Sequence, residues 1–268
     1  MKKFLKVVGI LLTLVLVWFA NAMLGNPVSA MMAKNAAKDY LAEHYAHTDY
    51  YIEDVNYSFK DGNYYGHIRS ESSIDTQFTL YMTMTGKVRF DTYDSVADGF
   101  VTRNRLETEY CDLTDTITED AVFPYGDYDS FAFGTLEIYP PEAMADAPSY
   151  AMDQSTLIID HAYDVRELGK QAGHLVIYVD SETVSVERAG EIMLDIKSMF
   201  DAAEIPFAAM TLVLQHPRME DGTWNDEEVR VEHFPYEEMY EEGLVERIRE
   251  ADSAIKAYYA ELDALYKK

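Results

Sequence analysis

The 268-residue chain has a single cysteine, Cys111, so it can form no intrachain disulfide, no CxxC redox pair and no cysteine-based zinc cluster. Positive charge is scarce too. Against 48 Asp+Glu there are 22 Lys+Arg, a formal net charge of −26. Polyphosphate needs a basic surface, so nucleic acid is excluded as a general partner. There is no HExxH, no GxSxG, no SxxK and no glycine-rich phosphate loop. Gly62-x-x-x-Gly66 has no lysine after it and lies in an expected hairpin. The sequence therefore names no cofactor and no metal. Internal repeats and low-complexity tracts are also missing. What remains is 48% hydrophobic and 13% aromatic, which is the composition of a folded chain. Its length suits one large domain or two ordinary ones.

One long apolar run is present, at the start. Lys2, Lys3 and Lys6 precede Val7–Leu24, which is about 27 Å of helix at roughly 1.5 Å per residue. A hydrocarbon layer is ~30 Å thick, so the segment can span a bilayer. Trp18 and Phe19 lie near its far end, where interfacial aromatics settle. A cleavable signal peptide is the alternative, with Ala20-Asn21-Ala22 or Val28-Ser29-Ala30 as its cleavage pattern. The expectation is an uncleaved single-pass anchor over residues 1–25. The lysine bias puts the N-terminus in the cytoplasm and the body outside it. Setting aside the three leading lysines takes the −26 of the whole chain to −29 for the exported part. Anionic headgroups repel such a body, so the membrane is a partner through the N-terminal helix alone.

Hydrophobic periodicity divides the body into two units, expected at 28–120 and 130–268. In the first, Ser29 is placed to cap a helix carrying Ala33, Ala37, Tyr40, Leu41 and His44. Period two then takes over, in Val55, Tyr57 and Phe59, and the turn Asp61-Gly62 leads into Tyr64–Arg69. Phe78, Leu80, Met82 and Met84 alternate with Thr79, Tyr81, Thr83 and Thr85, and Val88 and Phe90 continue past Gly86. A helix capped by Asp94 or Ser95 follows, with a stripe from Val96 to Ile117. This order, α-β-β-β-β-α, is an antiparallel meander with one covered face. The turn formers of Val122–Asp129 mark the boundary.

In the second unit, Leu136 and Ile138 mark a strand. Leu157-Ile158-Ile159 reads either as a strand or as the start of a helix ending at Gly173. Leu175–Val179 is apolar on both faces and belongs in the middle of a sheet. A helix capped by Ser185, strands at Met210–Leu214 and Val229–Val231, the Asp221-Gly222 turn and a final helix from Leu244 complete it. The fold class expected is α+β: a transmembrane helix followed by two small α+β units with antiparallel sheets.

Chemistry-bearing residues are few. Cys111 has Glu107, Glu109, Asp112 and Asp115 around it, which disfavours a thiolate. His44 and His47 lie three apart on an expected helix, without a carboxylate at a metal-site spacing, and His161 is flanked by Asp160 and Asp164. Met219–Glu242 is an acidic stretch with Arg230 as its one base, and it lacks the alternating ligands of a calcium loop. The 21 tyrosines stand out more. Tyr57, Tyr64, Tyr65 and Tyr81 gather in the first sheet, where exposed tyrosine binds peptide or glycan by stacking and hydrogen bonding. Cross-strand pairing in a half-buried sheet is the competing use of the same residues.

Several short motifs resemble the YfjL-like family of membrane-tethered bacterial proteins. They are Gly25-Asn26-Pro27-Val28-Ser29 with Ala36-Ala37-Lys38-Asp39-Tyr40-Leu41, Asp49–Val55, Phe59-Lys60-Asp61-Gly62, Ser73-Ile74-Asp75, Tyr163-Asp164-Val165 and Gly173-His174-Leu175. A helix packed on a hairpin sheet is also similar in topology to PepSY-type exported domains. The first resemblance implies membrane tethering and two units, with no catalytic residues. The function expected is non-enzymatic: a binding or regulatory module at the cell surface, meeting an unknown protein, peptide or glycan on the tyrosine face. An extracytoplasmic hydrolase with a dispersed His/carboxylate site is the alternative.

Overall fold

The structure, a computed structural model, describes residues 2–120, 123–125, 130–219, 222–223, 225 and 227–266. Most of the expected Val122–Asp129 boundary and Asp221 of the expected turn lie outside the described residues. Helix α1 (Lys2–Leu24) is long and apolar enough to cross a membrane, and Leu12, Val15 and Trp18 on it are exposed. Its end is set by Gly25, at φ +69, where an added side chain would run into the Tyr64 hydroxyl and the Tyr57 ring. By Cα proximity the chain forms two units, 1–102 with 158–160, and 103–157 with 161–268.

The first unit carries α2 (Pro27–His44) and the strands β1 (Tyr50–Ser58), β2 (Asn63–Ser70), β3 (Gln77–Thr83) and β4 (Val88–Asp91). The strands pair in sequence order, all antiparallel. Asn26, rather than the expected Ser29, caps α2: its side chain accepts the Ser29 N–H at 2.8 Å, and Pro27 takes the first helical position, where no N–H is needed. Ala33 and Ala37 let the helix approach a core of Tyr64, Ile68, Phe78, Leu80 and Met82. A short helix, α3 (Asp94–Ala97), follows β4. The single helix expected from residue 94 is interrupted because Gly99 adopts φ +79, and α4 (Phe100–Thr118) starts anew with the Asp98 carboxylate accepting the Phe100 N–H at 2.9 Å.

Two departures in this sheet matter for the site. Phe59 lies beyond the end of β1 and is exposed, so it does not join Val55 and Tyr57. Val88 pairs with Met82 while Phe90 pairs with Tyr81, with an irregularity between them. The extra residue, Arg89, puts Val88 on the covered face and Phe90 on the open one, although the two alternate in phase in sequence.

The second unit begins its sheet with β5 (Phe131–Leu136). The short parallel pair β6 (Ile138–Tyr139) and β7 (Met152–Asp153) follows. Residues 157–159 form no strand, and α5 (Val165–Ala172) is capped by Asp164. Then come β8 (Gly173–Asp180), α6 (Val186–Ala202), β9 (Ala209–Gln215), β10 (Glu228–Pro235) and α7 (Leu244–Tyr266). Ser185 caps α6 as expected. The order is β10-β9-β8-β5, with β8 central, and only β8–β9 is parallel in this sheet. That pairing follows from α6, a crossover between the two strands. Leu175, Ile177, Met210, Leu212 and Val231 face a core completed by Met193, Ile196 and Phe200 of α6 and Ile248 of α7.

Candidate functional site

The period of two in β2 divides the four candidate tyrosines. Tyr64 points into the core, 2% exposed, and its hydroxyl meets Ser29 Oγ at 2.8 Å. Its cross-strand partner Tyr57 is on the same face and donates to the Ala22 carbonyl at the end of α1, at 2.9 Å. Both tie the sheet to helices and leave no contact face. Tyr65 and Tyr81 pair on the open side, edge to face with centroids 4.9 Å apart, and Phe90 stacks on Tyr81 at 4.3 Å. The open strip is therefore Tyr65, Tyr81 and Phe90, half of Phe90 being exposed. The other histidine pair is not assembled: α2 ends at His44, whose ring stacks on Tyr40, and His47 lies past the helix.

The second unit gathers polar groups that sequence spacing does not connect. His174, near the start of β8, is 5% exposed, on the sheet face opposite Leu175. Its Nδ1 lies 2.5 Å from Glu137 Oε1, and its Nε2 lies 2.8 Å from Thr211 Oγ1 on β9. Glu137 sits between β5 and β6, pinned by its own N–H to the Ala172 carbonyl and by its carbonyl to the Met152 N–H. The Tyr139 hydroxyl donates to its second oxygen at 2.7 Å. The third member comes from a bulge in β10. There the register shifts between Val231 and Phe234, and His233 takes φ +49. A non-glycine residue pays strain in that region, and here the backbone is held by the His233 N–H bond to Thr211 Oγ1 at 3.1 Å. The His233 ring lies against His174, tilted by 33° with centroids 4.5 Å apart, and its Nδ1 is 2.7 Å from the Tyr150 hydroxyl.

The electrostatics follow from burial and these bonds. Burial works to raise the Glu137 carboxyl, but the bonds from His174 and Tyr139 outweigh it and hold the group below the usual carboxylate range. Burial, aided by the nearby His174, lowers His233. Tyr139 is pushed up to about 12 by burial and by its bond to Glu137, and Tyr150 is raised by burial and the same carboxylate. Glu107 on α4 is raised by burial in spite of Arg103, 3.3 Å away. An ionised carboxylate can only accept, so His174 Nδ1–H donates to Glu137. The Thr211 hydroxyl then completes the circuit, donating to Nε2 while accepting the His233 N–H. Tyr150 also lines a cavity of about 690 Å³, with Phe200, Pro206, Phe207 and Pro235 among its walls.

The two halves of the chain match two family models. Residues 1–92 match the YfjL-like N-terminal domain and residues 120–249 the YfjL-like C-terminal domain. The chain belongs to the YfjL-like family. Comparison with curated proteins and with solved structures gives no match. The open aromatic strip falls in the YfjL-like N-terminal domain, and Glu137, His174 and His233 all fall in the C-terminal one. Sequence reasoning passed over this cluster. Two signals pointed to it: His174 is the polar residue opening a strand otherwise apolar on both faces, and Phe234 falls out of phase with Val229 and Val231, which marks the bulge that turns His233.

Proposed function

We propose that this YfjL-like protein is a membrane-tethered, extracytoplasmic binding module, and that the open face of β1–β4 is its contact surface. The observation that carries this is the strip Tyr65–Tyr81–Phe90, a row of contacting rings on a sheet whose opposite face is already closed by α2. Rings at a sheet surface bury large area at little entropy cost, and tyrosine adds a hydrogen-bonding edge. Asp54 and His67 beside the strip, together with a body charge of −29, suit a neutral or cationic peptide or glycan. Lys2, Lys3 and Lys6 at the start of α1 support a cytoplasmic N-terminus.

A photo-crosslinking residue at position 79, in intact cells, tests the surface. The expected result is a defined crosslinked species that Tyr81→Ala and Phe90→Ala abolish without changing the melting curve. An undiminished product in both variants would remove the reading. Digestion of the body by protease added outside intact cells tests the orientation, and a protected body would reverse it.

The second reading, a hydrolase, is favoured by one arrangement. Thr211 Oγ1, His174 and Glu137 stand in the order hydroxyl–imidazole–carboxylate. Against it, Thr211 is 8% exposed and its hydroxyl already accepts the His233 N–H. Hydrolysis of a chromogenic ester that is lost in Thr211→Val would decide for this reading.

A further inference from the structure

We infer that Glu137, His174 and His233 form a binding site for a divalent transition-metal ion, with zinc(II) the ion that the donor set fits best. The inference is independent of the contact surface on the first sheet.

One donor atom from each of the three residues lies within 4.8 Å of the other two. Tetrahedral zinc, with bonds of roughly 2.0–2.2 Å, needs its donors roughly 3.4 Å apart. The 2.5 Å contact between His174 and Glu137 must therefore open by about 1 Å, and the other separations, none above 4.8 Å, need close by no more than about 1.4 Å. Side-chain rotation supplies shifts of that size. Two imidazoles and one carboxylate leave one position of the tetrahedron open, as in zinc sites that take water or a ligand.

The surroundings are those a metal site requires. Ligating groups are normally held by a hydrogen bond on their far atom. Here Tyr139 holds Glu137 Oε2, Thr211 holds His174 Nε2, and Tyr150 holds His233 Nδ1, which leaves the other His233 nitrogen for an ion. The single Thr211 hydroxyl positions both histidines, one by its ring and one by its backbone N–H. The left-handed residue at His233, inside a strand, is a strain of the kind that clusters at ligand sites. On binding, Nδ1 of the neutral His174 takes the ion and the ring's one proton passes to Nε2, a change of tautomer that releases no proton. Nε2–H then donates to Thr211, whose hydroxyl reverses. No electron moves, and the charge balance leaves one positive charge for an anionic fourth ligand.

The test uses the full-length protein in detergent, stripped by chelator and then dialysed against zinc sulfate or cobalt chloride. The expected result is one ion retained per chain and a visible cobalt ligand-field band. His233→Asn, at an exposed position and with a residue that tolerates positive φ, loses the band and weakens zinc at least tenfold, and Glu137→Gln does the same. Tyr150→Phe weakens it by about tenfold. His216→Asn, at an exposed pair elsewhere in the unit, changes nothing. No ion retained by the parent protein, or equal retention in the His233→Asn and Glu137→Gln proteins, would overturn the assignment.

Discussion

Asp75 and Asp160, 85 residues apart, bind each other reciprocally: the Asp160 N–H donates to Asp75 Oδ2 at 2.8 Å, and the Asp75 N–H donates to Asp160 Oδ1 at 3.0 Å. Asp75 is wholly buried, and the Thr102 hydroxyl donates to the same Oδ2 at 3.0 Å. Asp160 adopts φ +63, which aspartate tolerates better than most residues. The clasp brings residues 158–160 into the first unit, although the chain on either side of them belongs to the second. Asp75→Ala removes an acceptor from one buried donor, the Thr102 hydroxyl, and one part-buried donor, the Asp160 N–H, at roughly 1–3 kcal/mol for the buried one and less for the other. A loss of about 2–4 kcal/mol in urea unfolding is expected, with a smaller loss for Thr102→Val. A change within a few tenths of a kcal/mol would show that the clasp is incidental.

Glycine substitutions separate close packing from helix propensity. A Cβ on Gly169 would lie 2.6 Å from the Pro206 carbonyl, a backbone atom that cannot swing away, and would also strike the Tyr110 ring. On Gly190, within α6, the nearest atom is 3.4 Å away, an ordinary contact. Gly169→Ala is expected to lower stability by more than about 1 kcal/mol. Gly190→Ala is expected to raise it by about 0.5–1 kcal/mol, the helix preference for alanine. Thermal melts of the two variants side by side check both signs.

Alkaline stability reports on the tyrosines over the first sheet. Tyr40 and Tyr45 both donate to Asp91 Oδ2, at 2.7 and 3.0 Å. Burial, with Asp91 adding to it, pushes Tyr40 up to about 12 from its ordinary 10.0, and Tyr45 is raised by the same causes. A raised folded-state value means the unfolded chain loses its proton first. The contribution is therefore complete below pH 10 and is lost as pH rises from there through about 12. The slope of melting temperature against pH above pH 10 is expected to flatten in Tyr40→Phe. An identical slope would assign the alkaline loss to other groups.

Cys111 is expected to be a sluggish thiol. Burial raises it first, Asp115 next, with the Sγ donating to Asp115 Oδ2 at 3.6 Å. The thiolate is the reactive form, so alkylation at neutral pH runs below the rate of a free thiol. Asp115→Asn is expected to raise the rate a few fold, timed by mass spectrometry. No acceleration would leave burial as the whole cause.

Sequence alone decided what depends on neighbours along the chain. The span of α1 followed from an apolar run broken only at Thr13 and Asn21, the covered face of β3 from Phe78, Leu80 and Met82 at every second position, and the central place of β8 from apolar residues on both sides of it. Helix caps were partly legible, in Ser185 but not in Asn26, because Ser29 offers the same oxygen one turn later. Tertiary structure alone decided which side of a sheet each side chain faces once a strand bulges. Inserting Arg89 moved Phe90 to the open face beside Tyr81, and the shift before Phe234 turned His233 toward His174. A one-residue slip reverses every later side chain, and nothing local in the sequence sets the energy of that slip. The same holds for Glu137, His174 and His233. They come from three segments made adjacent by strand pairing, and pairing is chosen by the whole sheet's burial rather than by any one segment's pattern.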